Sequence, residues 1–236
     1  MGLPIGRKET NSDVKPSLMS TPDDQPISFL ADGEAFAVWA RARLLPRPVV
    51  LQDGDASPSD FDLNPGSEPC DPLSLQPAAV LVPIIAATPL TVLLTERTQH
   101  LPSHAGQIAF PGGKTDPGET SLETALREAH EEIGLNAQFI EPLGYLEPYR
   151  TGTGFIVTPV VALINSGYTV VANDDEVADV FEVPLAFLLD SANHRIDSRF
   201  WRGAERRFHA MPYQQRYIWG ATAGIVRTLH RRLITS

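Results

Sequence analysis

The chain has 236 residues, 42% hydrophobic and 20% charged, the balance of an ordinary globular protein that can bury a core. Its formal net charge of −10 argues against nucleic acid as the main partner, because phosphate-backbone contacts need a basic surface. A single cysteine, Cys70, excludes an intramolecular disulfide and suits a reducing compartment.

Residues 1–30 are polar and rich in Pro, Ser and Asp, the composition of a flexible tail. The opening "MGLPIGRKETNSDVKPS" has no apolar run of signal-peptide length, so a cytoplasmic location is expected rather than secretion. Residues 31–75 form a second unit. It comprises a short amphipathic helix in "DGEAFAVWARARLL" (Asp32–Leu45) and a Pro/Gly/Asp-rich connector, in which Cys70 has no histidine pattern that would mark it as a nucleophile. The compact domain is expected over residues 76–236. The stretch Pro72–Thr95 carries no charge, but Pro77, Pro83 and Pro89 and its Val, Ile and Thr content disfavour a membrane-spanning helix. They predict instead buried strands near Ala78–Ala86 and Leu90–Glu96.

A glycine-rich loop, "GQIAFPGGKTDPGE", precedes a predicted helix from about Ser121 to Ile133. "FIEPLGYLEPY" and "FIVTPVVALI" read as strands, "YTVV" as a short strand and "VPLAFLLD" as a short helix. "HRIDSRFW" and "ERRFHAMPY" form a hairpin around Gly203, and "YIWGATAGIVRTLHRRL" closes the chain as a helix. Strands on either side of helices indicate an α/β or α+β fold.

The stretch "REAHEEIGL" places Glu128, Glu131 and Glu132 within five residues. At 100° per residue, Leu122, Ala125, Leu126, Ala129 and Ile133 share one sector, the stripe a helix buries against a sheet. The glutamates fall in the adjacent sector, within about 100° of arc, so they converge at the edge of the buried face. Arg127 lies within (i, i+4) reach of Glu131. Thr120 with Glu123 forms a capping-box pattern, and Gly134 supplies a stop. Convergent carboxylates without matching cations make a hard-oxygen site for Mg²⁺ or Mn²⁺. A merely solvated acidic face is the alternative. The preceding "FPGGKTDPGE" weighs against it, because glycines and prolines there can bring backbone close to a ligand.

Gly113, five residues, Glu119, seven residues and then "REAHEEIGL" resembles the Nudix box with every fixed residue in place; only Ala129, small where a bulky aliphatic residue is usual, is soft. The resemblance implies a Nudix-type α/β/α sandwich with a mixed sheet and hydrolysis of a nucleoside diphosphate linked to another moiety, with divalent metal. "LLTERTQHLPSHAGQIAFPGG" is further similar to the signature of the coenzyme A pyrophosphatase branch, matching at Leu93, Leu94, Thr95, Arg97, Gly106, Phe110, Pro111, Gly112 and Gly113. Thr98 departs mildly. Pro102 stands where the signature has Arg, which removes a phosphate-binding cation. Segments "TGFIVTPVVALI", "DDEVADVFEVPL" and "YIWGATAGI" extend the likeness, which spans about Pro77 to Leu233.

The resemblance implies Glu128 and Glu132 as metal ligands and Glu131 as ligand or base, with Glu119 acting through water and Arg127 orienting the glutamates. The family often takes a further acid from a loop outside the box, and of Asp174, Asp175 and Glu176 the last is favoured as base. Arg97 and Lys114 are candidate phosphate contacts beside Gly112 and Gly113. His104 reads as packed; Arg150, His194 and His209 receive no role; and the Ser-His neighbours of "PSHAG" do not make a catalytic dyad. The leading function is metal-dependent cleavage of coenzyme A or its thioesters to adenosine 3′,5′-bisphosphate and a 4′-phosphopantetheine. ADP-ribose hydrolysis is the alternative, and a nucleotide-sensing module without turnover stands third. The expected partner is a small nucleotide, without nucleic acid or membrane, with a homodimer left open.

Overall fold

The structure, a computed structural model, describes residues 32–52, 55–67, 75–99, 106–201 and 203–235. The tail expected over residues 1–30, and Cys70, Pro102 and His104, lie outside the described residues.

The apolar runs before the glycine-rich loop form β1 (Gln76–Ile85) and β2 (Thr91–Arg97), which pair antiparallel. The loop itself contains two short strands that its glycines concealed, β3 (Ile108–Ala109) and β4 (Gly112–Lys114). The predicted box helix is α2 (Ser121–Ile133). After it come β5 (Ile140–Tyr145), β6 (Tyr149–Arg150) and β7 (Phe155–Ile164). β7 runs parallel to β1 over the whole length from Gln76↔Phe155 to Ile85↔Ile164, while the other ladders are antiparallel, so the eight-stranded sheet is mixed.

Three readings of the later sequence are corrected. "YTVV" is not a strand: Val171 N–H donates to Ile133 O (2.9 Å) and Asn173 N–H to Glu132 O (2.8 Å), so the segment satisfies the open carbonyls at the end of α2. β8 (Val177–Pro184) was unforeseen. It pairs with β2, and Val183 and Pro184, expected in a helix, end this strand before α3 (Leu185–Leu189) begins. The hairpin is β9 (Arg195–Trp201) and β10 (Ala204–Tyr213), as expected. A third strand, β11 (Arg216–Trp219), takes the first residues assigned to the closing helix. Gly220, at φ 63°, breaks the chain there, and α4 runs Ala221–Ile234.

Alternation along β1 and β7 divides the core. Ala79, Leu81, Val160, Ala162 and Ile164 pack with Ala125, Ala129 and Ile133 of α2. Val82, Ile84, Val161 and Leu163 pack on the other face with α3 and α4. The helix of the N-terminal segment, α1 (Gly33–Arg41), joins this second face through Phe36, Ala37 and Ala40. The result is an α/β/α sandwich. Although the compact domain was expected only from residue 76, the segment before it is also tied to the sheet: Leu45 exchanges backbone hydrogen bonds with Tyr145 (3.0 and 2.9 Å), and Arg150 N–H donates to Pro58 O (2.9 Å).

Candidate active site

Local signals start and stop α2 where the sequence placed them. Glu123 N–H donates to Thr120 Oγ1 (3.3 Å), Thr120 N–H donates to Glu123 Oε2 (2.7 Å), and Gly134 closes the helix at φ 66°. Ala129, the small residue in the box, is fully buried in the same cluster as Ala79 and Ala125, side chains small enough to let helix and sheet approach closely.

That approach sets the roles of the two glycines, which are steric rather than torsional. A Cβ on Gly112 would lie 2.4 Å from Ala79 O and 2.6 Å from Val80 Cα, so any other residue would push β4 off β1. A Cβ on Gly113 would lie 2.4 Å from Glu128 Oε1, so the carboxylate of Glu128 rests directly on the glycine backbone.

Arg127 organises the acidic group. Its Nε and Nη2 hold both oxygens of Glu119 (2.7 and 3.0 Å), its Nη1 reaches Glu128 (2.8 Å) and Glu131 (3.0 Å), and Nη2 also donates to Lys114 O (3.1 Å). Bidentate contact with Arg127, aided by the Asp116 N–H, brings the Glu119 carboxyl down to about 2. Glu132 stands apart from this network. Its side chain is 5% exposed against 55% for Glu131. It accepts from Gly112 N–H (3.3 Å) and lies 3.7 Å from Arg97 Nη1. Burial, only partly offset by these donors and reinforced by Glu128 and Glu176, pushes its carboxyl up to about 8. Burial raises Glu128 as well, with Arg127 opposing.

Arg97 ends β2 at a register shift between Glu96 and Arg97, the kind of irregularity that re-aims a side chain. Its Nε is buried without a hydrogen-bond partner among the described residues. Glu176 arrives from outside the box. The Asn173 N–H bond to Glu132 O hangs its loop from the last turn of α2, Glu176 N–H donates to Asn173 O (2.9 Å), and its charge acts on both Glu128 and Glu132. Asp174 and Asp175 point to solvent. Lys114 joins the network through its carbonyl; its ammonium lies 5.7 Å from the centre of the Phe155 ring.

Arg216 had no signal in the sequence. From β11 it pairs with Glu96 and Asp179 and sits 4.3 Å over the ring of Phe181, tying the hairpin to β2 and β8 beside the site. Nothing local in "QQRYIW" distinguishes it from a solvated arginine.

Among the described residues, no three His, Cys, Asp or Glu side chains converge as a closed cation cage. The donors nevertheless suit a hard cation. They are carboxylates only, one of them buried and short of positive partners, and Glu128 is seated against a glycine backbone that leaves its oxygens uncovered by any Cβ.

A carboxylate-edged helix packed on the glycine turn of an α/β/α sandwich defines a class of hydrolase, and comparison with known proteins gives its family. The model of the NUDIX domain matches residues 75–201, and the chain belongs to the Nudix family. It is 44% identical over 162 residues to an uncharacterized Nudix hydrolase, NudL, of Yersinia enterocolitica, covering 66% of this chain and 80% of that protein. A Yersinia pestis protein of the same name is 43% identical over 157 residues, covering 66% and 79%. Among solved structures, a Caenorhabditis elegans Ap4A hydrolase binary complex aligns at TM-score 0.41 and 24% identity, over 46% of this chain and 80% of that one. The chain is thus a Nudix hydrolase, of a family that uses divalent metal and acts on small nucleotide substrates. Among the described residues, no helix is long and apolar enough to cross a membrane.

Proposed function

We propose that this hydrolase cleaves the pyrophosphate bond of coenzyme A or an acyl-coenzyme A, giving adenosine 3′,5′-bisphosphate and (acyl-)4′-phosphopantetheine. The observation that carries the reading is the position of Arg97. It is the arginine of the "LLTER" signature, and it lies 3.7 Å from the buried Glu132, its Nε without a partner among the described residues, so the segment that resembles the coenzyme A branch lies against the box.

Glu128 and Glu132, with Glu131, would hold Mg²⁺ or Mn²⁺. Bound there, the ion neutralises diphosphate charge and lowers the pKa of a coordinated water. Arg127 fixes Glu119, Glu128 and Glu131, so the acidic group is oriented before substrate arrives. Glu176, whose charge acts on Glu128 and Glu132, would take the proton of the attacking water, and Arg97 would offer its guanidinium to a phosphate oxygen. The Lys114 carbonyl accepts from Arg127, and the Gly112–Gly113 backbone lies against Glu132 and Glu128, which makes these residues further candidates for substrate contact.

Pro102 favours a second reading, hydrolysis of another nucleoside diphosphate derivative such as ADP-ribose, since a cation suited to a 3′-phosphate is missing from the signature. Turnover of coenzyme A, acetyl-coenzyme A, dephospho-coenzyme A and ADP-ribose with Mg²⁺ or Mn²⁺ decides between them. Release of adenosine 3′,5′-bisphosphate at the highest kcat/KM supports the first. Rapid ADP-ribose hydrolysis without coenzyme A cleavage moves the assignment to the second.

A further inference from the structure

The face of the sheet opposite α2 has a concave site of its own. A cavity of about 500 Å³ is lined by Tyr149 of β6, His194, His209 of β10, Arg227 and His230 of α4, and Asp62. Its size falls within the range of small-molecule pockets.

Arg227 is the residue that packing does not explain. Arg231 and Arg232, one turn further on, both reach Glu147 (3.9 and 2.7 Å) and sit in the last turn of α4, where cations complement the helix dipole. Arg227 has no hydrogen bond or ion pair with any described residue, yet its charge acts on His194, His209, His230 and Tyr149. It therefore faces the cavity.

The carboxylates nearby are already engaged. Asp62 accepts from Ser59 N–H (3.1 Å) and Ser59 Oγ–H (2.5 Å), and Asp60 from Tyr149 Oη–H (2.9 Å) and Gly152 N–H (2.7 Å). The imidazoles are not all satisfied. His194 donates from Nε2 to Leu188 O (2.8 Å) and packs edge-on to His230, with ring centres 5.2 Å apart. His209 Nδ1 is buried without a partner among the described residues. Burial and Arg227 hold these rings below their ordinary pKa, His209 down to about 4, so at neutral pH the rings are uncharged and Arg227 supplies the fixed charge.

We propose that this cavity is a second ligand site, taking the phosphate group of a phosphomonoester or free orthophosphate against the Arg227 guanidinium. A planar five-donor cation on the wall of a cavity lined by uncharged imidazoles suits a compact dianion with several acceptor oxygens. The site is independent of which nucleotide the glutamate face cleaves.

Calorimetric titration of the full chain tests it. EDTA is present to suppress metal-dependent binding at the glutamates, the probes are inorganic phosphate and adenosine 5′-monophosphate, and sodium chloride at matched ionic strength is the control. Saturable binding should weaken roughly tenfold or more in Arg227→Gln, the loss of one charge-assisted contact. It should weaken also in His209→Asn and remain unchanged in Arg97→Gln. Arg227 is exposed and makes no ion pair with any described residue, so its replacement leaves the fold in place, which thermal melting verifies. Orthophosphate binding as tightly as the nucleotide marks a site for the free anion; tighter nucleotide binding marks a phosphorylated metabolite. Equal affinity in wild type and Arg227→Gln, or no saturable binding of either probe at millimolar concentration, overturns the proposal.

Discussion

Helices α2 and α4 flank one sheet from opposite sides, and their last turns carry opposite charge. A helix C-terminus bears partial negative charge, so cations there are favoured and carboxylates disfavoured by about 0.3–1 kcal/mol each. α4 obeys this with Arg231 and Arg232. α2 violates it, placing Glu128, Glu131 and Glu132 in its final turns and burying the last of them. Charge that agrees with its helix has a structural reason to be there. Charge that opposes it needs another, and on α2 the reason consistent with the fold is a cation bound in function. On α4, Arg227, a turn too early for the dipole and without an acceptor among the described residues, escapes the structural reason.

The largest expected effect breaks the α2 side. Glu131→Gln and Glu132→Gln should each lower turnover roughly 100-fold or more at saturating Mg²⁺, the range for loss of a ligand or base. Steady-state rates near wild type in both variants would remove the site. Arg227→Gln, on the other face, should leave kcat for the cleaved nucleotide unchanged.

The two glycines sharpen the same side. Gly112→Ala meets strand backbone that cannot yield, so it should cost about 1–3 kcal/mol of stability, seen as a lower urea midpoint. Gly113→Ala meets only the end of the Glu128 side chain. It should keep the unfolding free energy within about 0.5 kcal/mol of wild type and lose activity instead. If both variants lose stability alike, Gly113 serves packing and not the placement of Glu128.

These contrasts mark the limit of what the sequence makes legible. The box helix could be placed residue by residue because its signals are local: Thr120 with Glu123, the apolar period and Gly134. The convergence of Glu128, Glu131 and Glu132 on one edge follows from the same period. Burial does not: that Glu132 is enclosed while Glu131 is exposed depends on β4, which "FPGGK" conceals because its strand character lies in backbone pairing with β1. β8 and β11 escaped notice for a related reason. They are short or lie at a sheet edge, and Asp179, Glu182 and Arg216 interrupt the alternation by which a strand is read. The route by which Glu176 reaches the site runs through a backbone bond from Asn173 to Glu132, forty-one residues apart, which no window of sequence reveals.

A smaller effect concerns the metal-free protein. A buried carboxylate short of partners destabilises the fold, and glutamine of the same shape removes the charge. Glu132→Gln should therefore raise the unfolding free energy in EDTA by about 1–3 kcal/mol, seen as a higher melting temperature. Added Mg²⁺ should then stabilise the wild type and not the variant. An equal Mg²⁺ response in both would mean that Glu132 is not a ligand.

The smallest effect belongs to the α4 side and runs with pH. His209 titrates at about 4 in the fold against 6.5 ordinarily, with burial first and Arg227 second as the causes, Asp62 opposing and His194 adding to the depression. Above pH 6.5 the ring is neutral in both folded and unfolded chains and contributes nothing to the slope. As pH falls from 6.5 towards 4, the unfolded chain takes up a proton that the folded chain refuses, so stability declines across that window. Allowing for partial solvent screening, the decline due to this ring is about 1–2 kcal/mol. His209→Asn should flatten the slope of unfolding free energy against pH between 4 and 6.5. Arg227→Gln should shift the window upwards by removing one cause of the depression. Glu132→Gln, across the sheet, should leave the His209 titration where it is, and imidazole chemical shifts followed through the same pH range measure all three. If His209 titrates near 6.5 in the wild type, or if Arg227→Gln leaves its midpoint unmoved, then Arg227 does not face the ring and the contrast between the two helices reduces to their last turns.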